Sequence, residues 1–283
     1  MSNKFICFNG NFYNSEMPVI TANNRGFRYG DGFFETMKVL HGNLVLKELH
    51  FNRMFKSLQL LQFKVPEYFT ASYMEELIVR LLNENKIQES AKVRINIFRG
   101  NGSLGDTKNN KLNFVIEAES LSTQAFSLNK KGLIIDVYKD AKKVCDNFSH
   151  LKTNNFLPYS MAALWAAKNK LDDALLLNQF NNIADATIAN IFIVKDGVIY
   201  TPALTEGCID GVMRKYLLTC CRTEGILLKE ASISITDVQE AQEIFLTNSV
   251  FGIKWVQQCG NSFYTSQVAK WLYNTFIAEA INV

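Results

Sequence analysis

The chain has 283 residues, 48% hydrophobic and 12% aromatic with only four prolines, which excludes an extended disordered protein and leaves room for two domains. A net charge of +3 without any block of like charges disfavours nucleic-acid binding, and the six cysteines and three histidines show no zinc-ligand spacing, so no metal is expected and the thiols read as reduced. No apolar run approaches the ~18 residues of a membrane span and no signal-peptide core is seen, so the expected location is soluble and cytoplasmic.

Alternation around Asn9-Gly10 predicts a β-hairpin over residues 4–13, because that dipeptide tolerates the positive φ of a tight reversal. The three glycines between Asn24 and Glu35 predict a sharp turn before a strand over 34–40, and His41-Gly42-Asn43 returns the chain over 44–46. Apolar spacing predicts a helix over 47–61, with His50, Arg53 and Ser57 on an adjoining face that is either solvated or aimed at a ligand. A second helix over 71–83 and strands over 91–98 and 111–118 complete an α+β N-terminal domain, residues 1–120. A polar linker follows over 121–128. In the remaining domain, 129–283, the pattern predicts strands over 133–138, 173–177, 188–194, 198–200 and 243–247, and helices over 157–169 and 211–223. A closing helix over 266–281 is expected to pack through Val268, Trp271, Leu272, Phe276 and Ala280.

Four stretches of the second half could carry chemistry. Lys152 lies between a strand and a helix, where an amine can face a cavity, although most lysines are solvated. Gly211 opens a helix, whose free N–H groups and dipole suit a phosphate, or it is a plain turn. Thr247-Asn248-Ser249 ends a strand with three hydrogen-bonding side chains, as a phosphate cup or an ordinary strand-end turn. Asp185 sits in a largely apolar run, where a carboxylate needs a partner or caps its own turn. A serine or cysteine triad lacks a recognisable nucleophile setting, and the glycine loops lack the strand-to-helix context of a nucleotide fingerprint.

Taken in order, Arg25-Gly-x-x-Tyr-Gly-Asp-Gly-Phe-Phe-Glu35, His50-x-x-Arg53-x-x-x-Ser57, Lys152-Thr-Asn-Asn-Phe-Leu157, Asp185-x-Thr-x-x-Asn-Ile-Phe192, Gly211-Val-Met-Arg214 and Phe245-Leu-Thr-Asn-Ser249 resemble the fold-type IV pyridoxal-phosphate enzymes, the aminotransferase class IV family. That family includes branched-chain and D-amino-acid aminotransferases and aminodeoxychorismate lyase. The resemblance implies an α+β, two-domain fold: an N-terminal α/β sandwich-like domain, a larger C-terminal α/β barrel-like domain, and the site at their interface. It implies pyridoxal 5'-phosphate as cofactor, with Lys152 as the Schiff-base lysine and proton shuttle, a role that needs a lowered pKa. Arg53, the backbone of Val212 and Met213, and Thr247 match the phosphate-binding positions. Ile209 matches the residue that packs on the pyridine ring, and Asp185 stands where the family usually carries the glutamate that partners the ring nitrogen. Aspartate can do that work but reaches one methylene less far.

The loop Arg99-Gly-Asn-Gly-Ser-Leu-Gly105 resembles a form seen in some family aminotransferases. Leu104 and Asp106 replace the Arg-x-His pair of D-amino-acid aminotransferases, which weakens a D-specific reading. The favoured expectation is transamination between an amino acid, with branched-chain ones as candidates, and a 2-keto acid. The alternative is 4-amino-4-deoxychorismate lyase, releasing pyruvate and 4-aminobenzoate. Tyr29 and Phe34 are expected to face the substrate. The family likeness also implies a homodimer, with Phe27, Tyr29 and Phe33 as candidate contacts; which residues bind the substrate carboxylate stays open.

Overall fold

The computed structural model describes residues 4–122 and 127–278. They form two compact units; Lys152–Asn155 belongs to the first although its sequence neighbours on both sides belong to the second. Residues 123–126 of the expected linker lie outside the described residues.

The first unit contains β1 (Phe5–Phe8), β2 (Asn11–Asn14), α1 (Arg25–Tyr29), β3 (Gly32–Leu40), β4 (Asn43–Leu44), α2 (Lys47–Leu60), α3 (Ala71–Glu84), β5 (Ser90–Arg99) and β6 (Leu112–Ser120). Its sheet runs β2-β1-β6-β5-β3-β4 and is antiparallel throughout. Asn9 and Gly10 close the first hairpin at φ 49° and 87°, the left-handed values that their sequence favours. Where a turn was expected, Arg25–Tyr29 is helical, because Asn24 caps it by accepting from Phe27 N and Gly30 closes it at φ 65°. Strand periodicity sends Phe33, Glu35, Met37 and Val39 to one face of β3. There α2 and α3 cover the sheet, with Met54, Leu58, Leu77 and Leu81 packed among Phe33, Met37, Val93, Ile95 and Ile97. This is a two-layer α/β sandwich. Phe33 is therefore core, 1% exposed and edge-on to Phe63, and is withdrawn as a dimer contact; Phe27 is 76% exposed.

The second unit contains β7 (Leu133–Lys143), α4 (Leu157–Lys168), β8 (Asp173–Asn178), β9 (Ile183–Ala186), β10 (Asn190–Lys195), β11 (Val198–Pro202), α5 (Val212–Thr223), β12 (Leu228–Ala231), α6 (Ile235–Glu240), β13 (Glu243–Asn248), β14 (Gly252–Cys259), β15 (Ser262–Phe263) and α7 (Gln267–Leu272). Its mixed sheet runs β12-β11-β10-β13-β14-β7-β8-β9, with β15 on β14. In a flat sheet β9 and β10 would stand five strand spacings apart, about 24 Å. Only Thr187-Ile188-Ala189 joins them, a link that spans at most roughly 14 Å between Ala186 and Asn190. The sheet must curl back on itself, which is the barrel-like architecture. Its interior holds Ile135, Leu175, Ile191, Ile244, Leu246 and Val256.

The closing helix differs from expectation. After α7 the chain continues as a π-helical segment, Tyr273–Ile277, and Trp271 is 46% exposed, so it is not a core residue. Leu272 is buried as expected, and Ala280 lies outside the described residues. No helix among the described residues is long and apolar enough to cross a membrane.

Candidate active site

Within the first unit, Lys152–Asn155 lies against the start of β3. Phe34 N donates to Lys152 O at 2.9 Å, Asn154 N donates to Gly32 O at 2.9 Å, and Thr153 bridges Phe33. Gly32 is required there, since a Cβ would lie 2.2 Å from Ile97 O and 2.7 Å from Asn154 Nδ2. The Lys152 ammonium nitrogen lies 4.6 Å from the centre of the Phe34 ring, and the Arg94 guanidinium carbon 3.7 Å from the same centre. Phe34 thus has the two cations around it, on the sheet face opposite the helices. Lys38, on that face too, is fully buried, and burial brings its pKa down to about 8. Tyr29 carries the Arg28 guanidinium 5.2 Å from its ring centre. Arg94 escapes sequence reasoning because alternating charged residues in a strand normally signal a solvated face.

On the helix side of the same strand, Glu35 is completely buried. Arg53 of α2 grips it with Nε at 2.7 Å and Nη2 at 2.6 Å, and His50 Nδ1 lies 2.9 Å from Oε2. Burial alone would raise the Glu35 pKa, but the Arg53 charge and the hydrogen bonds from His50 and Arg53 outweigh it and hold the carboxyl down at about 2. His50 is pulled below its usual value by burial, against the opposing pull of Glu35, and so acts as a neutral donor. Ser57 donates to Arg53 O at 2.9 Å. The His50-Arg53-Ser57 face packs on β3, and the Arg53 guanidinium is oriented there by the Glu35 carboxylate.

In the second unit, Asp185 lies within β9, opposite Leu176, and is 1% exposed. Its Oδ2 accepts from Lys143 Nζ at 2.9 Å, Tyr159 OH at 2.8 Å and Ile209 N at 3.0 Å, while Oδ1 accepts from Asn190 Nδ2 at 2.9 Å. A carboxylate offers about four acceptor positions, two per oxygen, so Oδ2 is saturated and Oδ1 retains capacity for one further N–H. Burial, with the Asp185 charge and hydrogen bond adding to it, pushes the Tyr159 phenol well above its ordinary value, and Phe156 stacks on its ring at 4.2 Å. Ile209 packs against the cluster that contains Tyr159 and Leu176, and its carbonyl accepts from Asn190 Nδ2 at 2.8 Å.

Asn190 ties this acid to a second group of residues. It pairs across the sheet with Thr247 on β13, and a Cβ on Gly211 would lie 1.9 Å from Asn190 Oδ1. Gly211 is the N-cap of α5 and supplies no capping side chain, so the N–H groups of the first turn, Val212 and Met213 among them, have no partner within the helix. Thr247 is 1% exposed, and its Oγ1 is buried without a hydrogen-bond partner. An orphaned hydroxyl beside an uncapped helix start is what a phosphate group would complete. The donor set therefore fits pyridoxal phosphate, with a carboxylate oxygen left for the ring nitrogen. Arg214, from the same motif, is turned away into the fold, donating to Pro202 O at 2.9 Å and pairing with Glu230.

Residues 32–259 match the family model described as amino-transferase class IV. The chain is 29% identical to an aminodeoxychorismate lyase of Vibrio harveyi over 83% of its length and 85% of that protein. It is 26% identical to a putative branched-chain-amino-acid aminotransferase of Methanocaldococcus jannaschii, over 86% of this chain and 84% of the relative. Among solved structures it shares the fold of the branched-chain aminotransferase from the thermophilic archaeon Thermoproteus uzoniensis with norvaline, at a TM-score of 0.86 and 21% identity, covering 98% of this chain and 95% of that one.

Proposed function

The chain belongs to the class IV aminotransferase family, and from that premise we propose that it is a pyridoxal-phosphate enzyme moving an amino group between an amino acid and a 2-keto acid. The observation that carries the cofactor is the buried, partnerless Thr247 Oγ1 beside the uncapped start of α5. Pyridoxal phosphate, when bound, supplies an aldehyde that condenses with amines and a ring that takes up the electron pair left when the substrate Cα–H bond breaks. Thr247 Oγ1 and the N–H groups of Val212 and Met213 would bind its phosphate, and Arg53, oriented by Glu35, would add a cation. Asp185 Oδ1 would accept from the ring nitrogen, Ile209 would pack on the ring, and Lys152 Nζ would hold the cofactor and take up the proton from Cα. Phe34 and Tyr29 present apolar surface to the substrate, and Arg94 beside Phe34 supplies the cation its carboxylate requires.

The division near the 121–128 linker, a cytoplasmic location and a homodimer using the exposed Phe27 belong to the same reading. The lyase alternative is favoured by the Vibrio harveyi relative and would use the same lysine and ring acid. Two assays separate them. Leucine, glutamate or alanine with a keto acid should give amino transfer, while aminodeoxychorismate should give no pyruvate and 4-aminobenzoate; the reverse result establishes the lyase. The purified protein should absorb in the near-visible and lose that band on borohydride treatment, and a colourless protein that cannot be reconstituted with pyridoxal phosphate refutes the cofactor. Thr247→Val keeps the shape and removes one hydrogen bond to a charged group, worth about 1.5–3 kcal/mol, so the dissociation constant for pyridoxal phosphate should rise on the order of 10- to 100-fold. Equilibrium titration of the apoprotein checks this; an unchanged constant removes Thr247 from the phosphate site.

A further inference from the structure

Asp185 is not a lone anion: the fold has brought a lysine to it. Lys143 ends β7 with its side chain 8% exposed and its Nζ 2.9 Å from Asp185 Oδ2. The strand reaches this point irregularly. Along β8, Tyr138 pairs with Leu176 and Lys142 with the very next residue, Leu177, so Lys139, Asp140 and Ala141 are extra on β7. Beyond this bulge the neighbouring lysines part: Lys142 bonds the exposed Asn181 Oδ1 at 2.8 Å, and Lys143 turns inward, its carbonyl fixed by Gln179 N at 2.9 Å. Bulges commonly re-aim a side chain beside a functional site. A buried ion pair is a poor source of stability compared with apolar packing, so its presence asks for another reason.

On the reading of Asp185 given above, on which this inference rests, we propose that Lys143 is a positioning residue that, acting through Asp185, weakens the site's hold on the proton at the cofactor's ring nitrogen. An isolated buried carboxylate would hold a ring N–H⁺ tightly. Asp185 with Lys143 makes a net-neutral pair, which would hold the ring proton less firmly than an isolated carboxylate would. The other titratable groups around Asp185 do not change this sum. Tyr159 on α4 stays a neutral phenol, and burial, reinforced by Asp185, raises the Cys208 thiol to about 12. Arg214 and Asp210 act on Cys208 from the α5 side, and Arg214 is itself paired with Glu230. Lys143 is therefore the charge that offsets Asp185 among the described residues of this cluster.

The test is the protonation of the ring nitrogen itself, read as the ¹⁵N shift of ring-labelled pyridoxal phosphate bound to wild type, Lys143→Met and Lys143→Arg across pH. Removing a unit charge a few ångströms away should let Lys143→Met keep the ring proton to a pH higher by about one to two units, whereas Lys143→Arg should titrate with wild type. Lys143→Gln carries the same expectation as Met if the Met variant does not fold. Equal midpoints in the neutral variants and wild type overturn the proposal. So does a wild-type ring nitrogen that stays protonated to the alkaline limit of folding, or loss of binding in both neutral variants with retention in Lys143→Arg, which would mark a structural strut. A wild type that binds no pyridoxal phosphate defeats the proposed function instead.

Discussion

Replacing Lys152 with alanine is expected to abolish borohydride-trapped cofactor and lower turnover at least about 10³-fold while leaving the fold intact, since the lost amine is both covalent anchor and proton carrier. The backbone argues for an intact fold. Main-chain bonds tie this segment to β3, from Phe34 N to Lys152 O and from Asn154 N to Gly32 O, and alanine keeps both. Peptide mapping after reduction should place the label on Lys152. Two other lysines make the test sharp. Lys38 shares the Phe34 face of β3 and is brought by burial to a pKa of about 8, closer to a nucleophilic amine, and Lys143 lies at Asp185. A label on either, or an alanine variant within tenfold of wild-type turnover, rejects Lys152.

The sequence was most legible where one residue type imposes one backbone. Asn9-Gly10 must reverse the chain, whereas the need for glycine at 211 shows only once the fold sets Asn190 Oδ1 against it. The long amphipathic helices α2 and α3 show enough turns for their period to be read. Short elements do not: α1 has five residues, and β9 has four, all buried, with no alternation to reveal it. The edge strand β12, Leu-Lys-Glu-Ala, has little apolar character, and β14 mixes Trp255 and Val256 with Lys254, Gln257 and Gln258, so neither stands out from a loop. The same limit applies to the site. Thr247, Asp185 and Gly211 lie in recognisable motifs, and Asn190, although inside one, has its role only through the pairing with Thr247. Lys143 is one of many lysines until the bulge at 139–141 turns it inward, and Tyr159 looks like an ordinary helix aromatic until α4 is docked and its hydroxyl finds Asp185.

Neutralising Glu35 should cost the fold more than any other single change considered. Glu35→Gln keeps the shape but removes the carboxylate charge that the Arg53 guanidinium, whose side chain is only 11% exposed, grips; breaking a buried pair in this way typically costs about 3–5 kcal/mol. Wild type should show the same interaction through pH. The Glu35 carboxyl titrates at about 2 in the folded protein against 4.5 unperturbed. A depressed acid binds fewer protons folded than unfolded, so its contribution is complete above the unfolded value and is lost as pH falls through the folded one. The difference corresponds to roughly 3 kcal/mol, lost between about pH 5 and pH 2. Urea unfolding at pH 7, 5 and 3 should therefore show Glu35→Gln less stable than wild type at pH 7, with the gap narrowing toward pH 3 because the variant has no such proton to gain. Parallel stability profiles for the two proteins would mean that the Glu35-Arg53-His50 cluster does not couple folding to pH, and that Arg53 is held in place by packing instead of by charge.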